Sequence, residues 1–188
     1  MKNYEELDRV SRSRQEPYGC HGYEHTERVV DLCKVIGKEL GANMDVLVPA
    51  AILHDIGRPL DNHASQSAIQ AREILENNGL PPRVIDEIIH AIKVHSFSAG
   101  GGARTLEAKI LSDADKLDAM GAIGVYRAAQ YGVEHSREFK DFIEHFHEKL
   151  LKLPDLLFTE KAREMAGKRH EFLLKYLDQV DLELKGLV

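Results

Sequence analysis

Residues 51–60 read AILHDIGRPL: an apolar run, then two adjacent titratable side chains, His54 and Asp55, then a glycine and a proline that suit a helix stop. Burying a neutral polar group without a partner costs on the order of 2–7 kcal/mol. A His-Asp pair at the end of an apolar helix is therefore either satisfied within the fold or holds something. Working back along the chain, Asn43 or Asp45 is placed to cap this helix, which is expected to run to the His54-Asp55 pair and end at Gly57. Adjacent helical residues project about 100° apart, yet at a helix end both can reach one point between helices. An imidazole and a carboxylate together suit Mn²⁺, Fe²⁺, Zn²⁺ or Mg²⁺. The alternative is a solvated Asp55 with His54 at the helix C-terminus as a dipole partner.

Outward from this segment the pattern is helix after helix, with almost no period-two alternation. A short, mostly polar helix is expected over 3–15, with Leu7 and Val10 as its apolar contacts. A second runs from about residue 22 to Leu40 and stops at Gly41. Beyond the His-Asp pair, helices are expected over about 65–77 and from Pro81-Pro82 to about His95. SFSAGGGART (96–105) reads as a flexible loop that could close over a substrate. Thr105 is placed to cap a helical region to about Tyr131, interrupted near an acidic cluster. Ser136 is placed to cap a helix to Leu153, stopped by Pro154, and Thr159 caps a final helix of about 25 residues ending near Leu184. The fold class is all-α: one compact helical bundle over residues 1–188, with the C-terminal helices (about 136–184) packing on the core.

Composition narrows the function classes. The 188 residues are 43% apolar and 30% charged, with a net charge of −6 and scattered basic residues. No basic stripe points to a nucleic-acid polymer. No apolar run of ~18 residues points to a membrane span, and the charged N-terminus lacks an apolar signal core, so a cytoplasmic protein is expected. Cys20 and Cys33 form no disulfide framework. Ten histidines and no tryptophan are present, a histidine density that suits a metal or catalytic site.

His25 shares a helical stripe with Val29, Leu32 and Ile36 and should point inward. His21, four residues earlier, makes HxxxH a possible ligand pair. In EAKILSDADKLDAMGAIG (107–124), Asp113, Asp115 and Asp118 crowd an apolar, helix-favouring segment, although Asp is a poor helix-interior residue. Helical spacing leaves open which of the three would be a ligand.

HTERVV, AAILHDIG, HAIKVHSF and EAKILSDADKLDAMGAIG occur in the order found in HD-domain metal-dependent phosphohydrolases. The chain resembles the short stand-alone members of that superfamily, and the similarity extends into HFHEKLLKLPDLLFTEKAREMAGKRHEFL. The resemblance implies one divalent metal ion (Mn, Mg, Co, Ni, Fe or Zn) held by His25, His54, Asp55 and Asp115. Relatives often read HDxxH where this chain reads HGYEH, with Gly22 in place of the acid.

The implied activity is phosphohydrolysis of a small phosphorylated substrate, a nucleotide or a related ester or anhydride, by a metal-activated water that Asp55 could orient or deprotonate. Arg58 and Lys116 are candidate phosphate contacts. His63 and His95 are candidates to bind phosphate or protonate the leaving group, or to bind a second metal. Two other readings stand beside this one: a di-metal oxygenase on the same scaffold, and a non-catalytic nucleotide-binding regulatory module.

Overall fold

In the computed structural model, residues 4–58, 62–96 and 102–188 are described. Met1–Asp115 and Lys116–Val188 form two compact units. The first holds α1 (Glu5–Arg14), α2 (Tyr23–Leu40), α3 (Met44–Leu53), α4 (His63–Asn77), α5 (Pro82–Val94) and most of α6 (Leu106–Asp118). The second holds the end of α6, then α7 (Gly121–Glu134), α8 (Phe139–Glu148), a 3-10 helix (Leu150–Leu156) and α9 (Glu160–Leu184). No strand occurs among the described residues, so the all-α expectation holds. No described helix is long and apolar enough to cross a membrane.

The inward stripe of α2 places His25 in the core beside Thr26, Val29, Cys33 and Ile36, as its spacing predicts, while Leu32 is only half-buried. Gly41 ends this helix in the left-handed conformation, φ 68°, which glycine adopts without steric cost. Asn43, rather than Asp45, caps α3: its side-chain oxygen accepts from the Asp45 N–H at 3.0 Å. Every residue of α3 from Val46 to Leu53 is buried.

Helix α3 stops one residue before the His-Asp pair instead of running to Gly57. Residues 54–58 form tight turns, in which the Arg58 N–H donates to the Asp55 carbonyl at 3.0 Å. This geometry suits the close approach of α4. The Gly57 N–H donates to Ser67 Oγ at 3.0 Å, and a Cβ on Gly57 would lie 2.6 Å from the Ser67 backbone nitrogen. Pro59 lies outside the described residues.

Other boundaries also differ from the sequence reading. Helix α4 begins at His63, because Asn62 takes φ 54° and its carbonyl accepts from the Ser65 and Gln66 N–H groups. The region after Thr105 does break beside the acidic cluster, as expected, into α6 and α7, with Gly121 at φ 71° following the break. Ser136 is no cap; it sits at φ 52°, and α8 starts at Phe139. Pro154 lies inside the 3-10 helix instead of ending a helix. Thr159 does cap α9, accepting from the Ala162 N–H at 3.3 Å.

A buried polar chain ties α1 and α2 to the end of α3. Thr26 Oγ1 donates to Gln15 Oε1 at 2.9 Å, Gln15 Nε2 donates to Ser11 Oγ at 2.8 Å, and Ser11 Oγ donates to the Ile52 carbonyl at 2.6 Å. This chain fixes the backbone two residues before His54. The expected contact Val10 is half-buried; Leu7, Ser11 and Gln15 carry the buried face. Leaving a buried polar group unsatisfied costs about 1–3 kcal/mol. Ser11→Ala is therefore expected to lower stability by about that amount, read by chemical denaturation. Ser13→Ala, which removes an exposed hydroxyl, is expected to change it by under ~0.5 kcal/mol.

Candidate metal centre

The four implied ligands arrive from the first unit by three backbone routes. His25 comes from the first turns of α2, His54 and Asp55 from the tight turn after α3, and Asp115 from α6. His25, His54 and Asp55 are at most 1% exposed, whereas the Asp115 side chain is 25% exposed. His25 Nε2 lies 3.3 Å from His54 Nε2, 3.3 Å from Asp115 Oδ1 and 3.9 Å from Asp55 Oδ2. His54 Nε2 lies 3.8 Å from Asp55 Oδ2. Ligands at about 2.1 Å from a tetrahedral ion stand roughly 3.4 Å apart, so these spacings match a divalent cation.

The tautomer of His54 follows from its neighbour. Its Nδ1 is 2.8 Å from the Ala51 carbonyl, which can only accept, so the proton sits on Nδ1 and the Nε2 lone pair faces the cluster. Burial pushes the His54 pKa down to about 4, against the pull of Asp55, which keeps the imidazole neutral and fit for ligation. His95 is held in the same way, Nδ1 donating to the Ile92 carbonyl at 2.6 Å. Its own carbonyl accepts from Ser112 Oγ at 2.9 Å, which links the end of α5 to the helix carrying Asp115.

Asp55 is the hub. Its Oδ2 is approached by His21, His25, His54 and Arg58 at 3.5–3.9 Å. Its Oδ1 faces His63 Nε2 at 3.8 Å and His95 Nε2 at 3.6 Å. Oδ1 is buried and has no hydrogen-bond partner among the described residues. A buried carboxylate oxygen facing imidazole nitrogens at these distances is what a cation would satisfy, and the donor set of nitrogen and oxygen fits a divalent transition metal. Burial alone would raise the Asp55 pKa, but His54, His95 and Arg58 outweigh it and hold the carboxyl well below its usual range. The same opposition, with His25 as the main partner, keeps Asp115 well below that range. For His95, burial works downward, but Asp55 and Asp115 prevail and raise its pKa.

Three overlapping groups have ligand atoms within 4.8 Å of one another: His21, His25 and Asp55; His25, His54 and Asp115; and His54, Asp55 and His95. Asp113, one of the three acids that spacing left open, is in none of them. Arg58 and His63 stand at the rim, with Arg58 Nη1 donating to His63 Nε2 at 3.1 Å. Lys116 begins the second unit, and its ammonium lies 5.7 Å from the Phe158 ring centroid. Of the expected closing loop, 96–105, residues 97–101 lie outside the described residues. Ser67, Ser112 and the bond from Arg58 to His21 were missed in the sequence; only the HxxxH spacing signalled His21.

Gly22 has a steric reason to lack the acid that relatives often carry. A Cβ there would lie 2.6 Å from the Tyr18 carbonyl carbon and oxygen.

Known proteins share this fold. The HD domain family model matches residues 22–120. The chain is 33% identical over 181 residues to the uncharacterized protein YpgQ of Bacillus subtilis (strain 168), covering 89% of this chain and 86% of that one. The crystal structure of Bacillus subtilis YpgQ in complex with ADP superimposes with a TM-score of 0.83 at 30% identity, covering 99% of this chain and all (100%) of that one. A predicted HD superfamily hydrolase from an uncultured Thermotogales bacterium gives a TM-score of 0.72 at 28% identity, covering 96% and 92%. A 79-residue stretch is 34% identical to ribonuclease Y of Desulfotalea psychrophila, which is 42% of this chain but 14% of that protein. With the family model matching more than half of its residues and the cluster of His25, His54, Asp55 and Asp115 inside that span, the chain belongs to the HD domain family.

Proposed function

We propose that this protein is a metal-dependent phosphohydrolase acting on a nucleotide or a related phosphate ester or anhydride, with a divalent ion held by His25, His54, Asp55 and Asp115. The observation that carries the reading is Asp55: a buried carboxylate among imidazoles, with one oxygen lacking a hydrogen bond among the described residues. The ADP in the YpgQ crystal structure supports a nucleotide as the substrate class.

A divalent ion bound here supplies Lewis acidity and lowers the pKa of a coordinated water from 15.7 toward about 7. The chain's residues do the rest. Asp55 is the carboxylate to orient the attacking water or take its proton. His95 Nε2, 3.6 Å from that oxygen, is the group to hand a proton to the leaving oxygen. Asp55 and Asp115 together balance the charge of a divalent ion, so the Arg58 guanidinium leaves the loaded site net positive and attractive to phosphate. His63, first residue of α4, adds a polar contact at a helix N-terminus, where anions are favoured.

One feature favours a second reading of the metal count. The two oxygens of Asp55 face different imidazoles, His63 and His95 on one side, and His21, His25 and His54 on the other. Two ions would reopen the di-metal oxygenase alternative.

The deciding experiment is a substrate screen of nucleotides and phosphate esters with Mn²⁺, Mg²⁺, Co²⁺ and Ni²⁺, in which phosphate and pyrophosphate release are read separately. Hydrolysis that EDTA abolishes and added metal restores is the expected result. No hydrolysis across the panel by metal-loaded protein would favour a regulatory binding module, and oxygen-dependent turnover with two irons per chain would favour the oxygenase.

Asp115→Ala is expected to lose bound metal and activity with its helical circular dichroism unchanged, whereas Asp113→Ala keeps its metal. Equal metal content in Asp115→Ala and wild type would sink the ligand assignment. His95→Ala is expected to keep its metal and lose about a hundredfold or more in turnover. Loss of a second metal equivalent in that variant would place His95 among the ligands.

A further inference from the structure

Arg58 brings a cation to the rim of this site, where two imidazoles stand against it. Its Nη2 lies 2.5 Å from His21 Nε2, and its Nη1 lies 3.1 Å from His63 Nε2 and 3.5 Å from Asp55 Oδ2. A guanidinium can only donate. Both imidazoles therefore meet it with an Nε2 lone pair and are neutral in this arrangement. The Asp55 contact is long, and that carboxylate is shared among several imidazoles. Two neutral acceptors fix the direction of a cation without cancelling its charge, whereas a bidentate carboxylate would do both.

The backbone that delivers His21 is built for close packing. Gly19 takes φ 103°, the Gly22 N–H donates back to the Gly19 carbonyl at 3.1 Å, and position 22 has no room for a side chain. His21 thus enters from one side of Arg58 while His63, at the start of α4, enters from the other. All three side chains are 21–30% exposed, against 1% or less for His25, His54, Asp55 and His95. They form the solvent-facing rim of an otherwise buried cluster.

We infer that His21 is a positioning residue for Arg58: with His63 it forms an imidazole–guanidinium–imidazole clamp that aims the Arg58 charge at the anionic phosphate of the substrate. This rests on the phosphohydrolase reading for the identity of the anion. It assigns His21 to substrate binding and not to the metal, although His21 could also ligate together with His25 and Asp55.

The test measures ADP affinity calorimetrically in Mn²⁺-loaded protein, metal equivalents by elemental analysis, and the Arg58 side-chain ¹⁵N–¹H signals, assigned by their loss in Arg58→Lys. A hydrogen bond to a charged group sets the scale at about tenfold or more in affinity. His21→Ala is expected to weaken ADP binding by about that factor with metal content unchanged, and to collapse the resolved Arg58 Nη signals. His21→Gln, whose side-chain oxygen reaches about as far as Nε2, is expected to restore both. If His21 works through Arg58, the double variant His21→Ala/Arg58→Ala binds ADP no more weakly than Arg58→Ala alone.

Additive losses, loss of metal in His21→Ala, or unaltered Arg58 signals would each overturn the assignment. Failure of wild-type protein to bind ADP would instead count against a nucleotide as the anion. The Arg58 signals would then decide the clamp by themselves.

Discussion

A carboxylate taken out of water must be compensated, and the first unit is organised around one that is. Asp55 is 1% exposed and is approached by Arg58 and by imidazoles from α2, from the loop before it, from α4 and from the ends of α3 and α5. Isolated, such a charge would cost several kcal/mol even after relaxation. The surrounding nitrogens lower that cost enough for the group to stay ionised, but one oxygen has no hydrogen bond among the described residues. A cation bound among these imidazoles would satisfy that oxygen. The apolar length of α3 serves the same end by placing the charge rigidly.

Legibility in the sequence followed the range of the interaction. Helices set by local signals were readable: Gly41 ending α2, Pro82 opening α5 and Thr159 capping α9. So was the inward direction of His25, because a stripe of apolar neighbours fixes the phase of a helix. Boundaries set by tertiary contact were not. The end of α3 is decided by the approach of Ser67 to Gly57, and the start of α4 by the left-handed Asn62. Neither leaves a periodic trace.

The site shows the same division. Spacing could not choose among Asp113, Asp115 and Asp118, and only the family resemblance singled out Asp115. In the fold Asp115 reaches His25 at 3.3 Å, whereas Asp118 pairs with Arg127 at 3.1 Å. The role of Ser112 is of the same kind. A serine one turn before Asp115 looks like any helix serine until its hydroxyl is seen to donate to the His95 carbonyl.

The polar chain Thr26–Gln15–Ser11–Ile52 bears on where the domain starts. The family match begins at residue 22, which would make the preceding segment a dispensable leader. Physically it is not. A chain trimmed to the match would lose Ser11 and Gln15, strand the Thr26 hydroxyl and the Ile52 carbonyl, and also discard His21. The span matched by the family model and the unit that can hold its own hydrogen bonds have different edges.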